Sequence, residues 1–558
     1  MKLSLKHIYI CSLIGLGAST LASCNDFLDR EPITNVTPEA YFTTVDQVGA
    51  YVINYYSYLQ NSRQQSLYHD KNWRSGMTLN DNNTDNLFSQ TGDLDYFAGE
   101  KQVPSGKNFQ TYTSRARVWN WLLEQILPKE ETGSIQGDKS ILSHYIGEAY
   151  FFRALAYYQA LVRYGDFPII DEVLPDDQAI LKELSQRAPR NEVARFILKD
   201  LDTAISRLKD QGFQNNQRIN KQTAQLLKSR VALFEATFEK YHKGTGRVPG
   251  DDTWPGKDME YNQGKTFDIA GEINFFLTEA MSAAKAVADH CTLTGNSHQM
   301  NPVLGQTSGW NPYFDMFSQE DLSSISEVLL WKQYNLSIGY THDAAYILSA
   351  GGDQLGLSRS YITSFLMKNG LPYYADGSGY KGDLSVSMEK EGRDERLQLF
   401  VFGEEDIVRS DPADAKNNEV VILDTIPLVT SSVELQDFTG YRPRKYYNYD
   451  YDQYKSNTII CTTGAVVFRA AEAYLNYIEA CYEKNGSLDN DAAGYWKAIR
   501  RRGGVSEDYE LTIANTNLDK EANVVSGTVY GDLAVFSGDQ KVDATLYNIR
   551  RERRCEFI

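Results

Sequence analysis

Between Ser143 and Ile170 the chain reads SHYIGEAYFFRALAYYQALVRYGDFPII, and this segment narrows the possible folds more than any catalytic motif. Tyr145, Ala149, Phe152, Ala156 and Ala160 recur near helical spacing, and Gly165 and Pro168 then end the pattern. KQTAQLLKSRVALFEATFEKYHKG repeats the style and closes at Gly244, and INFFLTEAMSAAKAVADH does so again. VVFRAAEAYLNYIEACYEKNGSLDNDAAGYWKAIRRRGG reads as two helices. The first ends at Asn485-Gly486, and the second runs from about Asp491 to Arg502 before Gly503-Gly504. Small residues where helices cross, with Tyr and Leu filling the gaps, are what closely stacked helix pairs need. The pairs resemble tetratricopeptide-type hairpins, although their spacing is too irregular for a clean 34-residue array.

Long polar stretches rich in Gly and Asn separate these helices, among them HDKNWRSGMTLNDNNTDNLFSQTGDLDYFAGEK and GTGRVPGDDTWPGKDMEYNQGKTFD. Loops of this length are functional or packed by their own side chains. Between about 320 and 460 only short strand-like pieces occur, such as SEVLLWKQY and EVVILDTI. The expected fold class is therefore mostly α: a helical scaffold with long irregular loops and a few short strands.

The N-terminus sets the compartment. Lys2 and Lys6 precede a mostly apolar run from Ile8 to Ala22, shorter than the roughly 20 residues of a membrane-spanning helix. Leu21-Ala22-Ser23-Cys24 resembles a bacterial lipobox, in which Cys24 is acylated and becomes the new N-terminus. Residues 1–23 are thus expected to be a lipoprotein signal peptide, and more than one acyl chain gives stable anchoring. A polar tether, DREPITNVTPEAYF, follows.

A formal net charge of -18 argues against nucleic acid and against charge-driven binding to anionic headgroups. The 37 tyrosines point elsewhere, because a ring with a hydroxyl suits a wet, polar surface of the kind carbohydrates dock on. For any single tyrosine, a place on the rim of the helical core is the simpler expectation. Cys291, Cys461, Cys481 and Cys555 form no metal-ligand spacing and are expected to be buried free thiols.

Nothing in the sequence assembles a catalytic constellation. The histidines form no H-E-x-x-H, no G-x-S-x-G occurs, and the one Gly-x-Gly resembling a phosphate loop, GLGAST, lies in the leader. Paired carboxylates are inevitable among 74 acidic residues, so the chain is expected not to be an enzyme, and no cofactor is expected. Two stretches mimic calcium loops. Asp489, Asp491 and Gly494 fit, but Arg500 stands where a bidentate Glu is required. Asp81, Asn83 and Asp85 fit, but Asn86 and Gly92 replace the Gly and Glu, which leaves an Asx-turn cluster as the simpler reading. No metal site is assigned. The remaining binding candidates are aromatics in polar loops: Trp73 ahead of Asp81 and Asn83, then Trp254, and Trp310 with Tyr313. Each either folds back as a plug or stands as a stacking platform. Trp119, Trp121 and Trp331 are expected in the core.

The lipobox with CNDFLDREP, then GEAYFFRALAYYQALVRYGDFPII, RNEVARFILKDLDTAI, MKNGLPYY, RDERL, FRAAEAYLNYIEACYEKNG with AIRRRGG, and RRERRCEF stand in an order that spans nearly the whole chain. This ordered set resembles the SusD/RagB family of Bacteroidetes outer-membrane lipoproteins. The resemblance implies one SusD-like domain over 24–558, with an N-terminal part to 245 and a SusD/RagB part from 246. It implies a surface-exposed nutrient-binding lipoprotein that captures oligosaccharide and feeds a SusC-like TonB-dependent transporter. A peptide-binding lid of the same type and a protein-only helical adaptor are the alternatives. Family binding residues vary with the ligand, so none is carried over. Chains of this family continue past this last block through a Gly-, Arg- and Trp-containing tail, whereas this sequence stops at Phe557-Ile558, which points to a truncated end.

Overall fold

The structure is a computed structural model that describes residues 41–59, 81, 84–88, 108–350, 356–414, 418–423, 438–455 and 459–557. Cys24, Trp73 and Asn83 lie outside these residues. Among the described residues no helix is long and apolar enough to cross a membrane.

The principal helices form where the Ala-rich periodicity places them and also in segments that it did not mark. They are α1 (Val45–Ile53), α2 (Asn108–Thr132), α3 (Lys139–Tyr164), α4 (Arg190–Arg207), α5 (Lys221–His242), α6 (Ile269–Ala288), α7 (Ala471–Asn485), α8 (Asn490–Arg502) and α9 (Ala544–Phe557). Their starts are chemically marked. Asp138, Asn220, Asp268 and Asp489 each accept a backbone N–H of the first turn, and Thr44 with Gln47 closes a capping box on α1. Gly165 and Gly486 end α3 and α7 at positive φ, as Gly does where an L side chain would be strained.

Helices that follow one another pack on one another: α2 on α3, α3 on α4, α4 on α5, and α5 on α6. The stack then continues onto α7, which also meets α8 and α9. Helix α7 is buried on almost every side, and Ala471, Ala473 and Ala480 let its neighbours come close. Gly49 does the same for α1: a Cβ there would lie 2.5 Å from the Tyr145 ring of α3. One apolar cluster runs from Val48 and Trp119 through Leu226 and Ala284 to Ile478, Trp496 and Ile549. Trp119 and Trp331 are fully buried, whereas Trp121 is half-buried at the outer edge of this cluster.

The strands are short and all pair antiparallel in twos. β2 (Val328–Lys332) pairs with β6 (Ala465–Arg469), β1 (Leu87–Phe88) with β3 (Gly356–Leu357), and β4 (Ile407–Arg409) with β5 (Val421–Ile422). β2 is buried at every position and delivers Glu327, just before it, to the interior.

That interior is ionic. Glu327 takes Arg469 at 3.1 Å and Arg502 at 2.6 Å. Glu556 of α9 takes Arg469, Arg502 at 2.6 Å and Arg396 at 3.3 Å. Arg396 also holds Asp394 at 2.6 Å and Glu552, and Glu552 accepts the Trp496 indole N–H at 3.0 Å. With Arg500, 3.7 Å from Glu552, four guanidinium groups face four carboxylates, so the buried charge cancels. The RDERL, RRRGG and RRERRCEF blocks meet here and tie distant parts of the chain to α9.

Candidate functional site

Three loop aromatics are placed as plugs, which corrects the platform expectation for them. Trp254 is 2 % exposed, meets Phe267 edge-on at 5.2 Å, and donates its indole N–H to Asp166 at 2.8 Å. Trp310, also 2 % exposed, packs on Phe314 at 4.6 Å and on Tyr449. Tyr313 is fully buried, lies under the Arg502 guanidinium at 4.3 Å, and donates its hydroxyl to Glu556 at 3.0 Å. The physical reason is shared. A ring among small polar neighbours in sequence finds its apolar partners in other segments, and each of these three found them.

Among the loop candidates that are described, Asp81 is the one that the structure brings to a cleft. Its backbone carbonyl accepts Thr84 N–H at 3.2 Å and the Thr84 hydroxyl at 2.7 Å, the turn that the sequence suggested. Burial raises its carboxyl, while Lys445 and Asn86 pull the other way. The cleft encloses about 480 Å³ and is walled by Asp81, Asp85, Arg230, Asp532, Arg554 and Phe557, among others. That volume lies in the range of small-molecule sites. Its charges are spent on one another: Arg230 is bidentate on Glu472 at 2.6 Å, and Arg554 meets Asp532 at 3.1 Å and Asn86 at 2.8 Å. Such walls suit neutral hydroxyl groups better than a net charge.

A second groove of about 260 Å³ lies between α2, the end of α3 and the Phe167–Leu174 connection. Tyr157 shapes it by donating to the Ile170 carbonyl and accepting its N–H, both at 2.8 Å. Arg117 donates to the Leu174 carbonyl at 3.2 Å, and Asn120 bonds the Ile170 and Glu172 carbonyls.

The described nucleophile candidates are sealed. Cys291, Cys461, Cys481 and Cys555 are free and buried, as expected from their scatter. Burial raises the Cys461 thiol, but His342 beside it brings its pKa below the ordinary value. Both nitrogens of the His342 ring are taken up inside the protein. Its Nδ1 accepts Ala344 N–H at 3.2 Å and its Nε2 meets the Thr463 carbonyl at 2.8 Å, and His342 and Cys461 are fully buried. Among the described residues no group of three or more His, Cys, Asp or Glu could hold a metal ion.

Comparison with known proteins gives the family. Residues 326–558 match the SusD family, and residues 26–233 match a family described as starch-binding and associating with the outer membrane. The SusD-like protein P2 of Formosa agariphila is 27 % identical over 233 residues, which is 40 % of this chain and 42 % of that relative. The chain thus spans less than half the length of the curated relative it matches. A SusD-like protein of Bacteroides fragilis superposes with a TM-score of 0.57 at 20 % identity, covering 95 % of this chain and 86 % of its own. A SusD-like carbohydrate binding protein of the same organism gives 0.55 at 15 % identity, covering 92 % and 84 %. At these identities the superpositions establish the fold. With two long stretches of the sequence matched and the fold shared, the chain belongs to the SusD/RagB family.

Proposed function

We propose that this protein captures oligosaccharide at the cell surface and delivers it to a SusC-like TonB-dependent transporter, without catalysing a reaction on it. The observation that carries the reading is the match of residues 26–233 to the outer-membrane starch-binding family alongside the SusD match of residues 326–558. Acyl chains on Cys24 hold it to the membrane and leave the folded body in the aqueous phase. The mutually paired charges around Asp81 and the acidic surface support a neutral ligand, bound through rings and hydrogen bonds. Of the loop aromatics, Trp73 is kept as a proposed stacking residue, with Asp81 and Asn83 as polar partners, and the buried Trp254, Trp310 and Tyr313 are withdrawn.

A combined glycan and peptide array with the protein lacking Cys24 tests this reading. Binding confined to neutral oligosaccharides supports it. Binding confined to peptides moves the protein to the peptide-lid reading, and binding to neither leaves a protein-only adaptor.

A further inference from the structure

The turn LPYYADGSGYKGD gathers half-exposed tyrosines around a buried carboxylate whose ion pairs are all long. Asn369 closes the turn: its side-chain oxygen accepts Leu371 N–H at 3.1 Å, and its amide reaches the Ser378 carbonyl at 3.3 Å. Tyr373 and Tyr380 are thereby set edge to face at 5.3 Å. Behind them lies Arg393, fully buried, 5.8 Å from each ring centre. Its Nη2 donates to the Ile362 and Phe365 carbonyls, but its Nε and Nη1 have no hydrogen-bond partner.

Glu389, 1 % exposed, completes the centre. Its Oε2 accepts the Tyr441 hydroxyl at 2.7 Å. Its Oε1 is ringed by donors that stand off: the Tyr380 hydroxyl at 3.5 Å, Arg359 at 3.7 Å and Arg393 at 3.8 Å. Arg359 is exposed and links the centre to the surface, donating to the Tyr441 hydroxyl at 2.9 Å and to Asp383 at 2.6 Å. A buried carboxylate oxygen without a full-strength partner is costly, and so is a buried guanidinium with two nitrogens that make no hydrogen bond. A group that is both donor and acceptor would relieve either.

We propose that Tyr373, Tyr380, Tyr441, Arg359 and Glu389 form a subsite for one ring of a neutral sugar. The proposal rests on the carbohydrate reading above and gives it a place. Two cations, Arg359 and Arg393, face two anions, Glu389 and Asp383, so the subsite offers no net charge to an ionic ligand. Tyrosine faces take the apolar side of a sugar, and its hydroxyls meet the Arg359 and Asp383 rim and the Glu389 acceptor.

The test is calorimetric titration of the protein lacking Cys24 with maltoheptaose, cellohexaose, xylohexaose, mannohexaose and, as the charged control, tetragalacturonate. At least one neutral oligosaccharide should bind. Its affinity should fall about tenfold or more in the Tyr373→Ala, Tyr380→Ala double variant, as losing an aromatic anchor implies. Arg359→Ala and Tyr441→Phe should each weaken binding severalfold. Both change one polar group at the rim of the fold, so they answer the question even where the double variant does not fold. Unchanged affinity in these two variants overturns the subsite alone. Preference for tetragalacturonate overturns its neutrality, and no binding to any neutral oligosaccharide overturns the carbohydrate reading itself.

Discussion

Glu239 on α5 is a buried acid whose carboxylate oxygens meet no hydrogen-bond donor among the described residues. It is fully buried, both of its oxygens lack a hydrogen bond, and its neighbour Glu235 is already bidentate on Arg190 at 2.7 and 2.8 Å. Burial, and then Glu235, push its pKa up to about 9. The unfolded chain ionises near the ordinary 4.5 and the folded one does not, so the unfolded state sheds its proton first. Stability should therefore decline as pH rises from 4.5 to about 9. Glu239→Gln, which keeps the shape of the neutral acid, should raise stability at pH 8 by at least about 1 kcal/mol and flatten that slope. Urea melts of both proteins across this range measure it. Glu556 behaves in the opposite sense. Burial alone would raise it, but Arg502, Arg469 and Arg396 hold it well below the usual carboxylate range. Its contribution is complete above 4.5 and is lost as pH falls. Glu556→Gln should cost about 3–5 kcal/mol, because it strands buried guanidinium groups. A loss under about 1 kcal/mol in the same melts would contradict the network.

At the scale of elements, the helix ends separate two costs of a glycine substitution. Gly486 ends α7 at φ +65°, and a Cβ added there would meet nothing within 4 Å, so Gly486→Ala should cost about 1 kcal/mol of backbone strain. Gly504 follows α8 at φ +64°, and a Cβ there would lie 2.4 Å from the Glu395 carboxyl carbon. Glu395 is held by Lys368 at 2.8 Å and His298 at 2.7 Å and cannot yield freely. Gly504→Ala should therefore cost roughly twice as much or more, and denaturant midpoints of the pair give the ranking. Both glycines were legible as stops, since a Gly after a 3.6-residue pattern needs only local information. The partners of Glu556 were not. Arg469 and Arg396 lie far away in sequence, and local patterning carries no trace of a contact across 87 or 160 positions. The same limit hid the fate of Trp254 and Trp310, whose covering residues belong to other segments. Tyr373 entered the sequence reading only within the MKNGLPYY block, and neither Tyr380 nor the Glu389 beneath them was legible.

The whole molecule is a stack of helix pairs with an ionic seam along α9, built from blocks that the family shares. Cys24→Ala should yield a folded protein that leaves the membrane fraction, because removing several acyl chains removes about 0.8 kcal/mol per buried CH₂. As a lid, the body should bury well above the roughly 1,600 Å² of a standard interface, since lid and barrel must enclose a chamber. Isolation of the native protein from outer membranes in mild detergent tests the central claim most directly. The account predicts that a TonB-dependent β-barrel transporter comes with it in equal amount. Recovery of this chain as a free monomer under those conditions would contradict the claim.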